Sequence, residues 1–412
     1  MTLAAFSQHP PLPWYEARNG ELVAGGKLIS AIAAEAGRTP FYLYDRSVMT
    51  RKVALLRAAL PDSVGLHYAI KANPLPGIVS HFATLVDGLD VASACELDVA
   101  LGTAVDRAEI SFAGPGKTVA ELERAVAAGI VVNMESPLEM RRLAQLARQT
   151  GTRPRVAVRV NPDFELKSSG MKMAGGPKQF GVDAEAVPAL LEELVGLPLE
   201  FWGFHIFSGS QNLRPEVLVE AQQKSAALAI ELARSAPGPV RLLNLGGGFG
   251  IPYFPGEKLL DLEPIGANLR ELAPRIRTAL PEAHIVLELG RFLVGEAGVY
   301  VCRVLDRKIS RGHVFLVTDG GLHHHLAASG NFGQVLRKNY PVLVANRIGA
   351  GTRETVSVVG PLCTPLDLLA DRMELDQAHE GDLIAVFQSG AYGYTASPLG
   401  FLSHPPPIEL LL

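Results

Sequence analysis

Cysteine is nearly absent: three residues in 412, Cys95, Cys302 and Cys363. So sparse and odd a set argues against a disulfide framework and for a reducing compartment. Long apolar runs are missing too. No stretch approaches the roughly 18 residues of a membrane span, and the start, MTLAAFSQHPPLPWYE, lacks the basic and apolar regions of a secretory signal. Neither sign of charge dominates, since 38 Lys and Arg against 42 Asp and Glu leave a formal −4, interspersed rather than in blocks. That removes the basic surface of a nucleic-acid binder and any charged tail. The expectation is a cytoplasmic protein with neither membrane nor nucleic acid as partner.

What is present is an ordinary folded composition, 48% hydrophobic and 19% charged, in a chain too long for one small core. The first forty residues are turn-rich, with Pro10, Pro11, Pro13, Gly20, Gly25 and Gly26, and predict a strand or two and a short helix near 28–36. From Phe41 a rhythm begins. FYLYD, GLHYAI, GLDVAS, EISFAG, GIVVNM, RVAVRVN, EFWGFHIF, VRLLNLGGG and AHIVLELG alternate with stretches such as RKVALLRAAL and AELERAVAA, which carry apolar residues at helical spacing. Eight or nine such repeats over about 250 residues predict a closed (β/α)8 barrel, 41–298; an open doubly wound sheet needs fewer. After Gly298, VYVCRVLDRKI, HVFLVTDG, PVLVAN, ETVSVVGP and DLIAVF follow with short polar links and few helices. These predict a mostly antiparallel β domain, 299–412, with 1–40 packing against it and SHPPPIELLL as a terminal strand.

Barrel chemistry sits where strands end. YAIKAN puts Lys71 directly after an apolar run, where desolvation lowers an amine's pKa toward the nucleophilic form a Schiff base needs; a surface lysine in a loop is the plain alternative. NLGGGFG offers backbone N–H groups to a phosphate through Gly246, Gly247 and Gly248, although tight turns use glycine too and no dinucleotide fingerprint can be read through it. ELGR sets Glu288 and Arg291 at a strand end, either as a surface ion pair or as a carboxylate facing a heterocycle nitrogen beside an anion-holding guanidinium. AGPGKT falls short of a nucleotide-binding loop because Ser111 stands where glycine is required; it reads as a turn opening a helix. Cys363 lies in a turn-prone segment, whereas Cys95 and Cys302 are expected to pack in helix and strand. His323, His324 and His325 are consecutive; adjacent side chains diverge on a strand and scatter on a helix, so no metal site is expected.

In order, YAIKAN, DVASACEL, RVNP, NLGGGFGIPY, ELGR, GPLC and GAY resemble the pyridoxal-phosphate-dependent decarboxylases of the diaminopimelate and ornithine type, from about Phe41 to Tyr394. The resemblance implies an alanine-racemase-like barrel joined to a β domain. Lys71 would bind pyridoxal 5'-phosphate covalently. Gly246, Gly247, Gly248, Gly290, Arg291, Ser208 and Tyr392 would surround its phosphate and edges. Glu288 would keep the pyridine nitrogen protonated, and Asp90 and Arg159 would order the surroundings. Cys363 would come from the partner of a homodimer and protonate Cα after CO2 leaves. An amino-acid racemase shares the barrel and the lysine, but needs a second base on the opposite face.

Three departures bear on this. In GFHIFSGSQ the stacking ring is His205 in one alignment and Phe207 in another, and His205 is the expectation. After the cysteine stands Thr364, where relatives acting on a distal ammonium carry an acid; Asp367 is the candidate to replace it. The arginine–tyrosine stretch before the cysteine reads NFGQVLRKNYP, with Arg337 and Tyr340 as substitutes for substrate contact. The main expectation is decarboxylation of a diaminopimelate-like amino acid. The departures point to an alternative, an aminoacyl group such as glutamyl tethered to an acyl carrier protein. Lys167, Lys172 and Lys178, in FELKSSGMKMAGGPKQFG, could face an acidic carrier or form a solvated lid.

Overall fold

The computed structural model describes residues 2–3, 9–164, 171–172, 175–334 and 337–412. It divides into two compact units, each described by itself: 52–250 with 260–292, and 1–51 with 251–259 and 293–412.

The first unit is a barrel. Its strands are β1 (Val64–Ala69), β2 (Gly88–Val91), β3 (Ile110–Phe112), β4 (Val131–Met134), β5 (Arg155–Asn161), β6 (Glu200–Ile206), β7 (Leu242–Gly247) and β8 (His284–Leu289). All pair in parallel in chain order, and β8 returns to β1 through Ile285↔Val64 to Leu289↔Tyr68, which closes the ring. The strands are rich in Val, Leu and Ile because both faces are covered. The interior is plugged by Val131, Ala157, Leu242 and Val286, with Trp202 against them. Between strands run the expected helices, begun by side chains that satisfy their first N–H groups. Ser93 caps Ala94–Leu101, Ser136 caps Pro137–Thr150, and Thr118 forms a reciprocal capping box with Glu121 for Val119–Ala128. Gly129 and Gly151, at φ 70° and 67°, end two of these helices in the left-handed conformation.

The second unit is a mostly antiparallel eight-stranded sheet built on the long strand Gly298–Ser310, with His313–Thr318, Val342–Val344, Arg353–Val359, Leu368–Asp376, Leu383–Val386 and the terminal Ile408–Leu411. FYLY, read from sequence as the first strand of the barrel rhythm, belongs here instead. Phe41–Tyr44 pairs antiparallel with Gly298–Val301 and parallel with Ile408–Leu411. An apolar tetrapeptide followed by a helix looks the same whichever sheet receives it. Leu368–Asp376 was not foreseen, because Asp371, Arg372 and Glu374 break its apolar alternation. Near the chain start, Leu12–Arg18, Glu21–Ala24 and Lys27–Leu28 form antiparallel pairs before the helix Ile29–Ala36. Leu12, Tyr15, Leu22, Ile29 and Ile32 share one apolar cluster with Val299, Val301, Leu343 and Leu383. Among the described residues, no helix is long and apolar enough to cross a membrane.

Candidate active site

Lys71, Arg159, His205 and Glu288 lie at or just past the C-terminal ends of barrel strands. β1 runs into a short 3-10 turn, Ile70–Ala72, which carries Lys71. Its Nζ lies 2.9 Å from Glu288 Oε1. The second oxygen of the same carboxylate is 3.1 Å from His205 Nε2. Glu288 and His205 are each 2% exposed, and the Lys71 side chain 43%. Burial pushes the Glu288 carboxyl up, but the Lys71 charge and the His205 contact outweigh it and hold the group well below the usual carboxylate range. Gly290 makes this contact possible. A Cβ there would crowd Ala72 and the Ala69 carbonyl, so only glycine lets the end of β8 close on the lysine turn.

After β7 the chain bends through Gly246 and Gly248, at φ 68° and 75°, a conformation that favours glycine. A Cβ on Gly246 would lie 2.9 Å from the Phe207 ring, and one on Gly248 would collide with the Gly209 carbonyl. The bare backbone is therefore needed for packing as well as for the turn. Ser208, Gly209, Asn212, Gln222, Leu245 and Gly247 line a narrow crevice beside it. Arg291 is half-buried and opens the short helix Arg291–Val294 after β8.

Two further networks stiffen the rim. Arg159, at the end of β5, donates to Glu135 at 2.8 Å, and Glu135 also accepts from the N–H groups of Gly114 and Gly181. Burial opposes the charge on Glu135, yet Arg159 and Lys117 lower its pKa. Lys117, from the nucleotide-loop look-alike, turns inward to Glu139 at 2.8 Å and to the carbonyls of Gly114 and Asn133. It is a structural cation, 1% exposed, and offers nothing to a nucleotide. Asp90 accepts from Ser111, which in turn takes a 3.0 Å bond from Asn133.

Of the two rings expected to stack, His205 is engaged by Glu288, while the Phe207 ring centroid lies 5.7 Å from the Lys71 amine. The strand ends at Ile206, one residue before Phe207, and the two rings meet edge to face.

The remaining candidates lie in the sheet unit. Cys363 is exposed in the turn between Gly360 and Pro365. Cys95, expected to pack within its helix, is exposed, and Cys302 is buried as foreseen. Tyr392 is half-buried at φ 54°, a conformation uncommon outside glycine. Asp367, the candidate for the missing acid, is 3% exposed, and its two oxygens accept from the N–H groups of Leu322 and Leu362 at 2.6 and 2.8 Å. Thr364 keeps its hydroxyl on the Leu366 N–H. Arg337 donates from all three nitrogens, to the carbonyls of Ser329 and Leu368 and to Asn339, at 2.9 to 3.0 Å. Tyr340 is buried among the rings of Tyr253, Phe254 and His325. His323 and His324 do not diverge as expected: in a turn rather than a strand or helix, their ring centroids lie 3.6 Å apart, tilted by 40°. Of the three lysines expected to meet a carrier, Lys167 and the Lys172 side chain lie outside the described residues, and Lys178 is half-buried.

Comparison with known proteins agrees with this geometry. Residues 46–295 match the family described as pyridoxal-dependent decarboxylase, pyridoxal binding domain. The chain is 38% identical over 379 residues to the L-glutamyl-BtrI acyl-carrier-protein decarboxylase of Niallia circulans, across 90% of this chain and 88% of that protein. It is 31% identical over 388 residues to the diaminopimelate decarboxylase of Aquifex aeolicus, across 93% and 89%. The crystal structure of diaminopimelate decarboxylase from Helicobacter pylori complexed with L-lysine superposes with a TM-score of 0.81 at 27% identity, across 93% of this chain and 94% of that one.

Proposed function

The chain belongs to the pyridoxal-dependent decarboxylases, and from that premise we propose that it removes the α-carboxylate of an amino acid whose far end is tethered to an acyl carrier protein. The activity class is that of a carboxy-lyase using pyridoxal 5'-phosphate.

The residues present fit that cofactor. A half-exposed amine stands beside a fully buried carboxylate, and the glycine turn offers a backbone bare of side chains, where a Cβ at Gly246 or Gly248 would clash with Phe207 or Gly209. In our reading Lys71 holds the cofactor covalently through Nζ. Gly246, Gly247, Gly248 and Arg291 hold its phosphate through N–H groups and charge, helped by Ser208 and Tyr392. Glu288 keeps a proton on the ring nitrogen, and its depressed pKa suits a carboxylate that must stay ionised while doing so. When bound, the cofactor supplies an electron sink for the pair released as the Cα–carboxylate bond breaks. Phe207, its centroid 5.7 Å from the amine, gives the cofactor ring an apolar face, while His205 orients Glu288. Asp90 and Arg159 brace the rim, and Cys363 delivers a proton to Cα. The same reading has the enzyme in the cytoplasm as a homodimer, with Cys363 of one subunit serving the other.

One observation carries the choice of substrate: the groups expected to meet a distal ammonium or carboxylate are already spent. Thr364 carries no charge, the Asp367 oxygens accept from Leu322 and Leu362, and Arg337 donates to Ser329, Leu368 and Asn339. A free diaminopimelate would bring an ammonium and a carboxylate with no such partners, and an unpaired charge in a closed site costs several kcal/mol. A substrate whose distal carboxyl is bonded to a carrier brings neither. The diaminopimelate decarboxylases among the relatives make the free diamino acid the rival reading.

The deciding assay measures CO2 release by the cofactor-loaded enzyme from carrier-linked glutamate and from free meso-diaminopimelate. We expect the carrier-linked substrate to be favoured by at least about 100-fold in kcat/KM, the equivalent of roughly 2.7 kcal/mol. Comparable or faster turnover of free diaminopimelate would return the enzyme to the rival reading.

A further inference from the structure

His67 stands four residues before Lys71 on β1, inside the barrel and 2% exposed. Both of its ring nitrogens face a carboxylate: Nδ1 is 3.4 Å from Asp90 Oδ2, and Nε2 is 3.4 Å from Glu109 Oε2. A neutral imidazole has one N–H donor and one lone-pair acceptor, whereas an ionised carboxylate only accepts. Either neutral tautomer would therefore turn a lone pair toward a carboxylate. Only the doubly protonated ring suits both neighbours.

The adjoining strand is built around this ring. Gly88 pairs in register with His67, and a Cβ at that position would collide with the imidazole. On the other side His67 pairs in register with Glu288, whose oxygens are taken by Lys71 and His205. Glu109 also feels His284 from the start of β8 and Asp87 from the end of the loop before β2. Asp90 carries the arrangement upward, since its other oxygen accepts from Ser111, which accepts from Asn133.

We propose that His67 is a positioning residue, an imidazolium lodged between Asp90 and Glu109 that fixes Asp90 and, through it, the Ser111–Asn133 side of the rim beside the cofactor lysine. The proposal rests on Lys71 as that lysine. Burial alone would lower the ring's pKa, but Asp90 and then Glu109 override it and lift it to about 9. The folded value lies above the ordinary 6.5, so the stabilisation is complete below pH 6.5 and is lost as the pH rises through 9. Above that pH the ring keeps a single N–H and can hold only one of the two carboxylates, so the triad slackens and with it the rim that Asp90 supports.

The test follows the histidine ring resonances of the cofactor-loaded enzyme, labelled at Cε1, against pH, with His67→Gln identifying the signal. We expect the His67 signal to titrate near 9. Glu109→Gln removes one of the two carboxylates and should lower that titration by about one unit or more. It should move by the same amount the pH above which the cofactor's visible absorbance is lost on dialysis. A His67 signal titrating at or below 6.5, or an absorbance limb that Glu109→Gln leaves in place, would overturn the proposal. Borohydride reduction and peptide mapping of the same sample test its premise separately: an adduct on another lysine would sink the reading of Lys71 while the titration still reports on the triad.

Discussion

Lys71 and Glu288 divide one task between an accessible end and a buried end. In the proposed reading the amine is reached by an aldehyde and then by a substrate, and its side chain is 43% exposed. The carboxylate must stay ionised in a dry interior, and it does so because a cation and an imidazole flank its two oxygens. Glu288→Gln keeps the shape and removes the charge. We expect the variant to retain cofactor on Lys71, as read by its visible absorbance, and to lose about 100-fold or more in kcat, the scale of removing one preorganised electrostatic contact. Unchanged kcat would mean that Glu288 only braces the lysine. At this scale the sequence was readable wherever a motif carries its own chemistry: YAIKAN for the amine, NLGGGFG for the cradle, ELGR for the buried carboxylate. It did not show the backbone groups, distant in sequence, that Asp367 and Arg337 engage. His67 gave no signal at all, since its partners are brought to it from elsewhere in the chain, Asp90 by β2 and Glu109 by the turn before β3.

Elements were legible by period and end signal. Thr118 followed three residues later by Glu121 marks a helix start, and the capping box forms. The turn holding His323, His324 and His325 was not legible, because the shape of a turn depends on what packs over it. All three rings are buried, and burial drives their pKa values down, to about 3 for His323, about 4 for His324 and about 3 for His325. A histidine neutral in the fold and free to protonate when unfolded stabilises fully above its unfolded value. That stability drains as the pH falls from 6.5 toward the folded value. His325, with Nε2 2.8 Å from Ser389 Oγ, is the most enclosed of the three. We expect the urea midpoint to fall as the pH is lowered from 7 to 4.5. In His325→Gln that slope should be shallower by up to about 1.4 kcal/mol per pH unit. Parallel slopes for the two proteins would show that this ring is already protonated in the fold.

At the scale of the molecule, the proposed homodimer separates into two measurable halves. Lys71→Ala and Cys363→Ala should each abolish turnover. If each site takes its lysine from one subunit and its cysteine from the other, mixing the two inactive proteins under conditions that exchange subunits restores activity. At equal amounts half of the dimers are mixed, each with one site intact, so about a quarter of wild-type activity should return. No recovery after demonstrated exchange would place both residues of a site in one chain.

The sequence by itself determined the succession of elements, the barrel class, and the identity and order of the chemical groups at the strand ends, because periodicity and strand-terminal motifs are local properties of a chain. Which sheet took Phe41–Tyr44 and which charged groups the backbone had already engaged were decided only in the folded protein. Each depends on distances between residues tens to hundreds of positions apart, and buried polar groups pair with whatever the fold brings within reach.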